Sequence, residues 1–315
     1  MPLAIVGPGR AGIGLALALR DAGGYALAGA AARTRASAAR ASRLLGRGIG
    51  TTDLSRAVRP ARVVLLTVPD DGIAAATASL ARLRLKGKVI LHTSGARTAA
   101  AIGGLRARGA AVGSLHPLTS FPAPTGIAPD LRGTFFAVDG DAAAVRAARR
   151  IARSLRGRTL LVAGPARPAY HLAASMVANH LVVLLEAGFD LAARRLAVRP
   201  ATARAALMPL VNAALRNVGR AGPGRALTGP VARGDVATVA QHLRVLAAEP
   251  PGLAEMYLVL SRKAVDIALA DGRLSPERAR AMRRLLARRA GRSFGPLRRS
   301  TRSLTRSRRS LRMPR

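Results

Sequence analysis

Gly7-Pro8-Gly9-Arg10-Ala11-Gly12 follows the apolar run Leu3-Ala4-Ile5-Val6 and opens an Ala/Leu-rich stretch. Three glycines at this spacing between a strand and a helix do separate jobs. The first permits a tight turn, the second lets the backbone approach a phosphate, and the third lets helix and strand pack closely. The unpaired N–H groups of the helix start then face anionic oxygens. The pattern predicts that Gly7, Gly9, Arg10, Ala11 and Gly12 hold the pyrophosphate of a dinucleotide. The alternative is a glycine-rich turn in a nucleotide-free fold, since glycine is frequent throughout the chain.

The next 150 residues repeat the strand–helix alternation. Strand runs fall at 3–6, 25–31, 63–68, 89–91, 111–115, 135–138 and 159–162, with helical patterns at 10–22 and 34–45. The run VVLLTV at 63–68 is continuously apolar, as a strand buried on both faces should be. Strands separated by helices predict βαβ units and a parallel sheet, at least through the fifth strand. Beyond Pro165 the strand signals stop. Helices are expected at 169–196, 201–218, 236–247, 253–271 and 276–289, with Asp235 and Ser275 as N-caps and Pro276 at a first helical position. The expected division is a dinucleotide-binding domain over 1–164, a helical domain over 165–290 and a tail over 291–315.

Composition narrows the classes of function. With no Cys, thiolate metal sites, disulfides and cysteine nucleophiles are excluded. The formal net charge is +37, yet only Lys86, Lys88 and Lys263 are lysines, so 49 of the 52 basic residues are arginine. These arginines are scattered and lack the interleaved aromatics on which bases would stack, which argues against nucleic acid as the main partner. They do concentrate in 291–315, where nine arginines and no acid predict a disordered tail. The N-terminus lacks the basic segment of a signal peptide. The apolar stretch 172–191 carries Asn179, His180, Glu186 and Asp190 and is read as a buried helix, not a membrane span. A cytoplasmic protein is expected.

Other clusters suggest where chemistry would occur. The run after the second strand, Arg33-Thr34-Arg35, stands where an acid would bind the ribose hydroxyl of NAD, and no acid lies between Asp21 and Asp53. Arg33 and Thr34 instead offer a place for the 2′-phosphate of NADP. Val68, Pro69 and Asp70 close one strand, and His92, Thr93, Ser94 and Gly95 another. Both loops should line the nicotinamide side, because an open α/β sheet binds ligands at the carboxyl ends of its strands. Asp70 also reads as an N-cap, and His92 equally as a core histidine. Ser114 and His116 end a further strand. Tyr170 and His171 open the long helix, and His171, Ser175 and Asn179 at i, i+4 and i+8 fall within roughly a quarter of its circumference. Thr228, Arg233 and His242 form a second polar cluster; a tight loop with an Asp235 cap is its plainer reading. No metal-spaced cluster stands out.

Taken together, GPGRAG (7–12), VPDD (68–71), HTSGA (92–96), GSLHPLTSF (113–121), YHLAASMVANHLV (170–182) and TGPVARGDVATVAQHL (228–243) resemble the Rossmann-like proteins that carry the domain of unknown function 2520. The resemblance covers about residues 3–260. It implies an α/β Rossmann domain followed by an all-α domain like the C-terminal part of 6-phosphogluconate dehydrogenase, with pyrroline-5-carboxylate and ketopantoate reductases as distant relatives. It further implies a homodimer formed through the helical domain. Several β-hydroxyacid dehydrogenases of this superfamily place a Lys at the start of the long helix and an Asn further along. Here Asn179 is present, but no Lys lies between Lys88 and Lys263. The resulting expectation is NADP-dependent hydride transfer to or from a small carbonyl, imine or hydroxy compound. In it His171 or His116 serves as acid/base, Asn179 orients the substrate, Arg233 binds an anionic group on it, and Ser114, Tyr170, Ser175, Thr228 and His242 contact it. The alternative is an NADP-binding sensor or scaffold without turnover.

Overall fold

The computed structural model describes residues 1–290. Its first half runs β1 (Pro2–Val6), α1 (Arg10–Asp21), β2 (Ala26–Ala31), α2 (Arg35–Leu45), β3 (Gly50–Thr51), α3 (Leu54–Val58), β4 (Val63–Leu66), α4 (Ile73–Leu80), β5 (Val89–His92), β6 (Ala111–Pro117), β7 (Phe135–Gly140), α5 (Ala142–Ser154) and β8 (Arg158–Leu161). The strands form one sheet in the order β3-β2-β1-β4-β5-β6-β7-β8. Every pairing is parallel except β6 with β7. Progression across the sheet reverses between β1 and β4, which opens a crevice at the carboxyl ends of the strands.

Alternation along each strand feeds two cores. Leu3 and Ile5 of β1 join Val63 and Leu65 of β4 on one face. Ala4 and Val6 join Val64 and Leu66 on the other. Each fully buried Leu, Ile or Val in these layers contributes about 1.5–3 kcal/mol of burial free energy. The continuous apolar run at β4 is therefore what a strand covered by helices on both faces requires. The two-residue β3 left no periodic trace in the sequence.

The chain forms two compact units, Met1–Val183 and a second beginning at Leu184, whereas the sequence placed the division at 164. The difference follows from Arg167, which is fully buried within the first unit. Its Nε donates to the Arg97 carbonyl at 3.0 Å, and its Nη2 donates to the Ser114 hydroxyl and to Asp139 at 3.5 Å. The first turns of the long helix are thereby part of the sheet domain. That helix comprises α6 (Arg167–Ser175), a π turn (Met176–His180) and α7 (Leu181–Arg195). The whole segment Gly164–Arg195 is long and apolar enough to cross a membrane by length and composition. The expectation of a buried helix over 172–191 does not hold: Leu172, Met176, Val177, Val182 and Val183 are all more than half exposed.

The second unit continues with α8 (Pro200–Ala226), α9 (Pro230–Arg233), α10 (Val236–Leu246), α11 (Pro251–Ala270) and α12 (Pro276–Ala290). Its core gathers Val239, Leu243, Leu258, Val265, Met282 and Leu286. α8 runs further than the expected 218, through a kink at Gly222 (φ 75°) followed by Pro223. The caps are as the sequence implied. Asp235 accepts from the Thr238 N–H at 3.0 Å, and Ser275 accepts from the Arg278 N–H at 3.3 Å. Glu249, its side chain inaccessible, is gripped by Arg194 at 2.7 Å and Arg195 at 2.5 Å. These guanidiniums hold its carboxyl below the usual range, the Arg194 hydrogen bond foremost. The tail expected to be disordered, 291–315, lies outside the described residues.

Candidate active site

The glycine turn sits at the crevice. Gly7 has φ 87°, and a side chain there would lie 2.6 Å from Val68 Cγ1. Its N–H donates to the Ala31 carbonyl at 2.9 Å, and its carbonyl accepts from the Thr67 hydroxyl at 2.7 Å. Gly12 lies where a Cβ would meet Thr67 Oγ1 at 2.4 Å and the Gly7 carbonyl at 2.8 Å, so helix and strand pack backbone to backbone. At Gly9 the nearest atom to a Cβ is 4.0 Å away. The face of Gly9 is clear, and the start of α1 adjoins it. A pyrophosphate fits this cradle: it needs open space at the second glycine and free N–H groups at Arg10 and Ala11. Thr67, which ties the turn to β4, was not singled out in the sequence; its only signal is a hydroxyl at the end of an apolar strand.

Arg33, Thr34 and Arg35 are exposed at the end of β2. Thr34 caps α2, its hydroxyl accepting from the Ser37 N–H at 3.2 Å. Asp70 starts a short 3-10 turn, Asp70–Gly72, without capping it. Among the described residues the Asp70 side chain makes no hydrogen bond or ion pair, while its carbonyl accepts from the Ile73 N–H.

The carboxyl ends of β5 and β6 meet the start of α6. His92 is fully buried and bonds through Nε2 to the Thr98 carbonyl at 2.9 Å. Burial lowers its pKa, so His92 sits in the core, but with Nδ1 buried and unpartnered it is not the fully satisfied histidine that a core reading implies. Ser94 is buried and accepts from the Arg97 N–H at 3.0 Å. Ser114, expected as a substrate contact, is instead fully buried, its hydroxyl held by Asp139 and Arg167. It therefore positions α6 and has no open face.

His116 and Tyr170 join at 2.6 Å between Nδ1 and Oη, with rings edge to face. Burial, reinforced by the Arg167 charge, pushes the His116 pKa down to about 4. Burial raises the Tyr170 phenol to about 12. Both are neutral near pH 7. A side chain at Gly95 would lie 2.7 Å from His171 Nδ1 and 2.8 Å from His116 Nε2, so glycine there lets two imidazoles converge on the β5 loop. His171 Nδ1 is buried without a partner, which leaves Nε2 as the nitrogen that can meet a ligand. His171 lines a cavity of about 480 Å³ together with Asp70, Arg97, Leu172, Ser175 and His180. That volume suits a small organic molecule.

Asn179 is exposed and does not line this cavity. The spacing i, i+4, i+8 placed it beside His171 and Ser175. The π turn adds a residue to the rotation, so His180, at i+5 from Ser175, takes that face. Sequence periodicity assumes a uniform α-helix and could not reveal the shift. Thr228 and Arg233 are exposed on the second unit, and His242 there bonds through Nδ1 to the Tyr257 hydroxyl at 2.9 Å. These three belong to a different unit from the His171 cavity, which is lined by first-unit residues. Among the described residues no group of three His, Asp or Glu side chains gathers as a metal site.

Comparison with known proteins defines the class first. Residues 1–117 match the Rossmann-like domain model. Residues 134–264 match the model named Domain of unknown function (DUF2520), so the chain pairs the two domains that its motifs resemble. No curated protein matches the chain. Among solved structures it is similar to protein BF3122 from Bacteroides fragilis, provisionally named an NADP oxidoreductase, at 24% identity and TM-score 0.65, covering 84% of this chain and 97% of that one. It is also similar to an imine reductase from Pseudomonas sp., at 20% identity and TM-score 0.56, covering 90% and 99%. A third is the reductive aminase from Aspergillus terreus in complex with NADPH and ethyl-5-oxohexanoate, at 19% identity and TM-score 0.55, covering 93% and 95%. At these identities the likeness is one of fold.

Proposed function

We propose that the protein is an NADP-dependent oxidoreductase acting on a small carbonyl, imine or hydroxy compound. The observation that carries this reading is one continuous edge of the sheet. There a phosphate-ready glycine turn, an acid-free arginine pair and a cavity with a free imidazole nitrogen stand at the carboxyl ends of β1, β2, β4, β5 and β6. Gly7, Gly9, Arg10, Ala11 and Gly12 would hold the pyrophosphate, and Arg33 with Thr34 the 2′-phosphate. Val68, Pro69, Asp70, Ser94 and Gly95 would flank the nicotinamide. NADP supplies a hydride donor or acceptor when bound. The similar proteins named for NADP or NADPH are consistent with this cofactor.

The protein's own part is to orient substrate and manage a proton. His171, which lines the cavity, would exchange the proton on the reacting oxygen or nitrogen. His116, neutral at pH 7 because its pKa is about 4, acts as a hydrogen-bonding imidazole locked to Tyr170, and not as an imidazolium acid. Ser175 orients the substrate from the same helix. A second copy of the chain, packed on the exposed apolar residues of α8 such as Leu210 and Leu215, would cover surface that water otherwise meets. Such a dimer would work in the cytoplasm. Absence of a lysine between Lys88 and Lys263 favours the second reading, an NADP sensor without turnover.

Fluorescence titration with NADPH and NADH, on the native protein and on Arg33→Ala, tests the cofactor. NADPH should bind at least about tenfold more tightly than NADH, a gap of about 1.4 kcal/mol, and Arg33→Ala should close it. Equal affinity in the native protein overturns the assignment. NADPH binding with no oxidation across a panel of ketones, imines and 2-oxo acids would favour the sensor.

A further inference from the structure

We infer that Arg97 and His180 form an anion anchor at the rim of the His171 cavity, and that the substrate carries a carboxylate. This deepens the proposed function and rests on it for the identity of the site.

Arg97 is mounted rigidly although its side chain is exposed. Its N–H is held by the buried Ser94 hydroxyl at 3.0 Å, and its carbonyl by the fully buried Arg167 at 3.0 Å. The clamped backbone fixes the position from which the guanidinium reaches, although the exposed side chain still gives up rotamer freedom when it binds. Among the described residues the Arg97 side chain has no hydrogen bond or ion pair, a condition that it shares with many arginines of this basic chain but that it alone among them brings to the cavity wall. A planar guanidinium free at a cavity rim matches a carboxylate, which it can bind through two parallel bonds.

His180 reaches the same cavity only because of the π turn Met176–His180. Such turns are rare and recur at functional sites, where they re-aim a side chain at the cost of regular hydrogen bonding. Here the effect is to replace an amide, Asn179, by an imidazole on the face that carries His171 and Ser175. Arg97, His180 and Ser175 thus present donors from two elements, and Asp70 is the single acid on the cavity wall. The carboxylate lies towards Arg97 and His180, and the reacting carbon lies towards His171.

The test uses the full-length protein and two isosteric probes, pyruvate and pyruvamide, with binding followed by NMR of the histidine ring protons, with and without NADPH. Pyruvate should bind at least about tenfold more tightly than pyruvamide, the scale of a charge-assisted pair. Arg97→Gln should remove that preference. His180→Gln should weaken pyruvate at least threefold or so, while Asn179→Ala should leave it unchanged. All three positions are exposed, so melting temperatures should match the native protein. Equal binding of the two probes overturns the anchor, as does an Asn179→Ala effect equal to that of His180→Gln. If NADPH fails to bind while pyruvate preference persists, the oxidoreductase reading falls and the anchor stands.

Discussion

Two of the three turn glycines are glycine for opposite reasons, and alanine at each should separate them. At Gly12 a Cβ would be 2.4 Å from Thr67 Oγ1, 2.8 Å from the Gly7 carbonyl and 3.0 Å from Ile5 Cγ2. Relief requires α1 to lift from the sheet, an overpacking cost of about 1–3 kcal/mol. Displacing Thr67 also loosens its 2.7 Å bond to the Gly7 carbonyl, worth about 0.5–1.5 kcal/mol. Gly12→Ala should therefore cost about 2–4 kcal/mol, lower the melting temperature by roughly 5–15 °C and weaken NADPH binding. At Gly9 nothing approaches a Cβ within 4.0 Å, and φ is −80°. Alanine is a poorer N-cap than glycine by about 0.5–1 kcal/mol, and its smaller unfolded-state entropy returns about 0.4–1 kcal/mol. Gly9→Ala should therefore melt within about 2 °C of the native protein. Its methyl group would occupy the space given above to pyrophosphate, so NADPH affinity should fall at least about tenfold. The assays are differential scanning fluorimetry and NADPH fluorescence titration on the same samples. Native affinity in Gly9→Ala would falsify the placement of the pyrophosphate, and an unshifted melt in Gly12→Ala would refute the packing argument.

Two further outcomes concern the buried polar groups behind the cavity. His116, with a folded pKa of about 4, and His92, also lowered, bind protons in the unfolded chain near pH 6.5 but not in the folded one. Stability should therefore fall as pH drops from 6.5 towards 4, by about 3 kcal/mol from His116 alone. Urea denaturation at several pH values should show His116→Gln losing less than the native protein over that window, and parallel losses would count against the shift. Arg167→Met removes a fully buried guanidinium bonded to Arg97, Ser114 and Asp139 and should cost about 3 kcal/mol, as breaking a buried pair does. It should also raise the His116 pKa, measured by NMR titration, because the second cause of its depression is the Arg167 charge; an unmoved His116 would remove Arg167 from that role.

What the sequence made legible is what neighbouring residues determine. The turn at 7–12, the two-faced strand at β4, and the caps at Asp235 and Ser275 each rest on a few consecutive side chains. What it hid depends on partners far along the chain. Ser114 reads as a polar group at the end of a strand, and only the return of Asp139 and Arg167 to its hydroxyl makes it a buried fastening. The same fastening draws the first turns of the long helix into the sheet domain, which is why a division at 164 was too early. Asn179 marks a different limit. Helical spacing carries one constant, 3.6 residues per turn, and a single π turn breaks it without changing a residue type. Periodicity therefore fails where a helix departs from regularity, and π turns, rare as they are, occur frequently at functional sites. The shift from Asn179 to His180 accords with a functional cavity there, because the π turn brings His180 to the wall that His171 and Ser175 share.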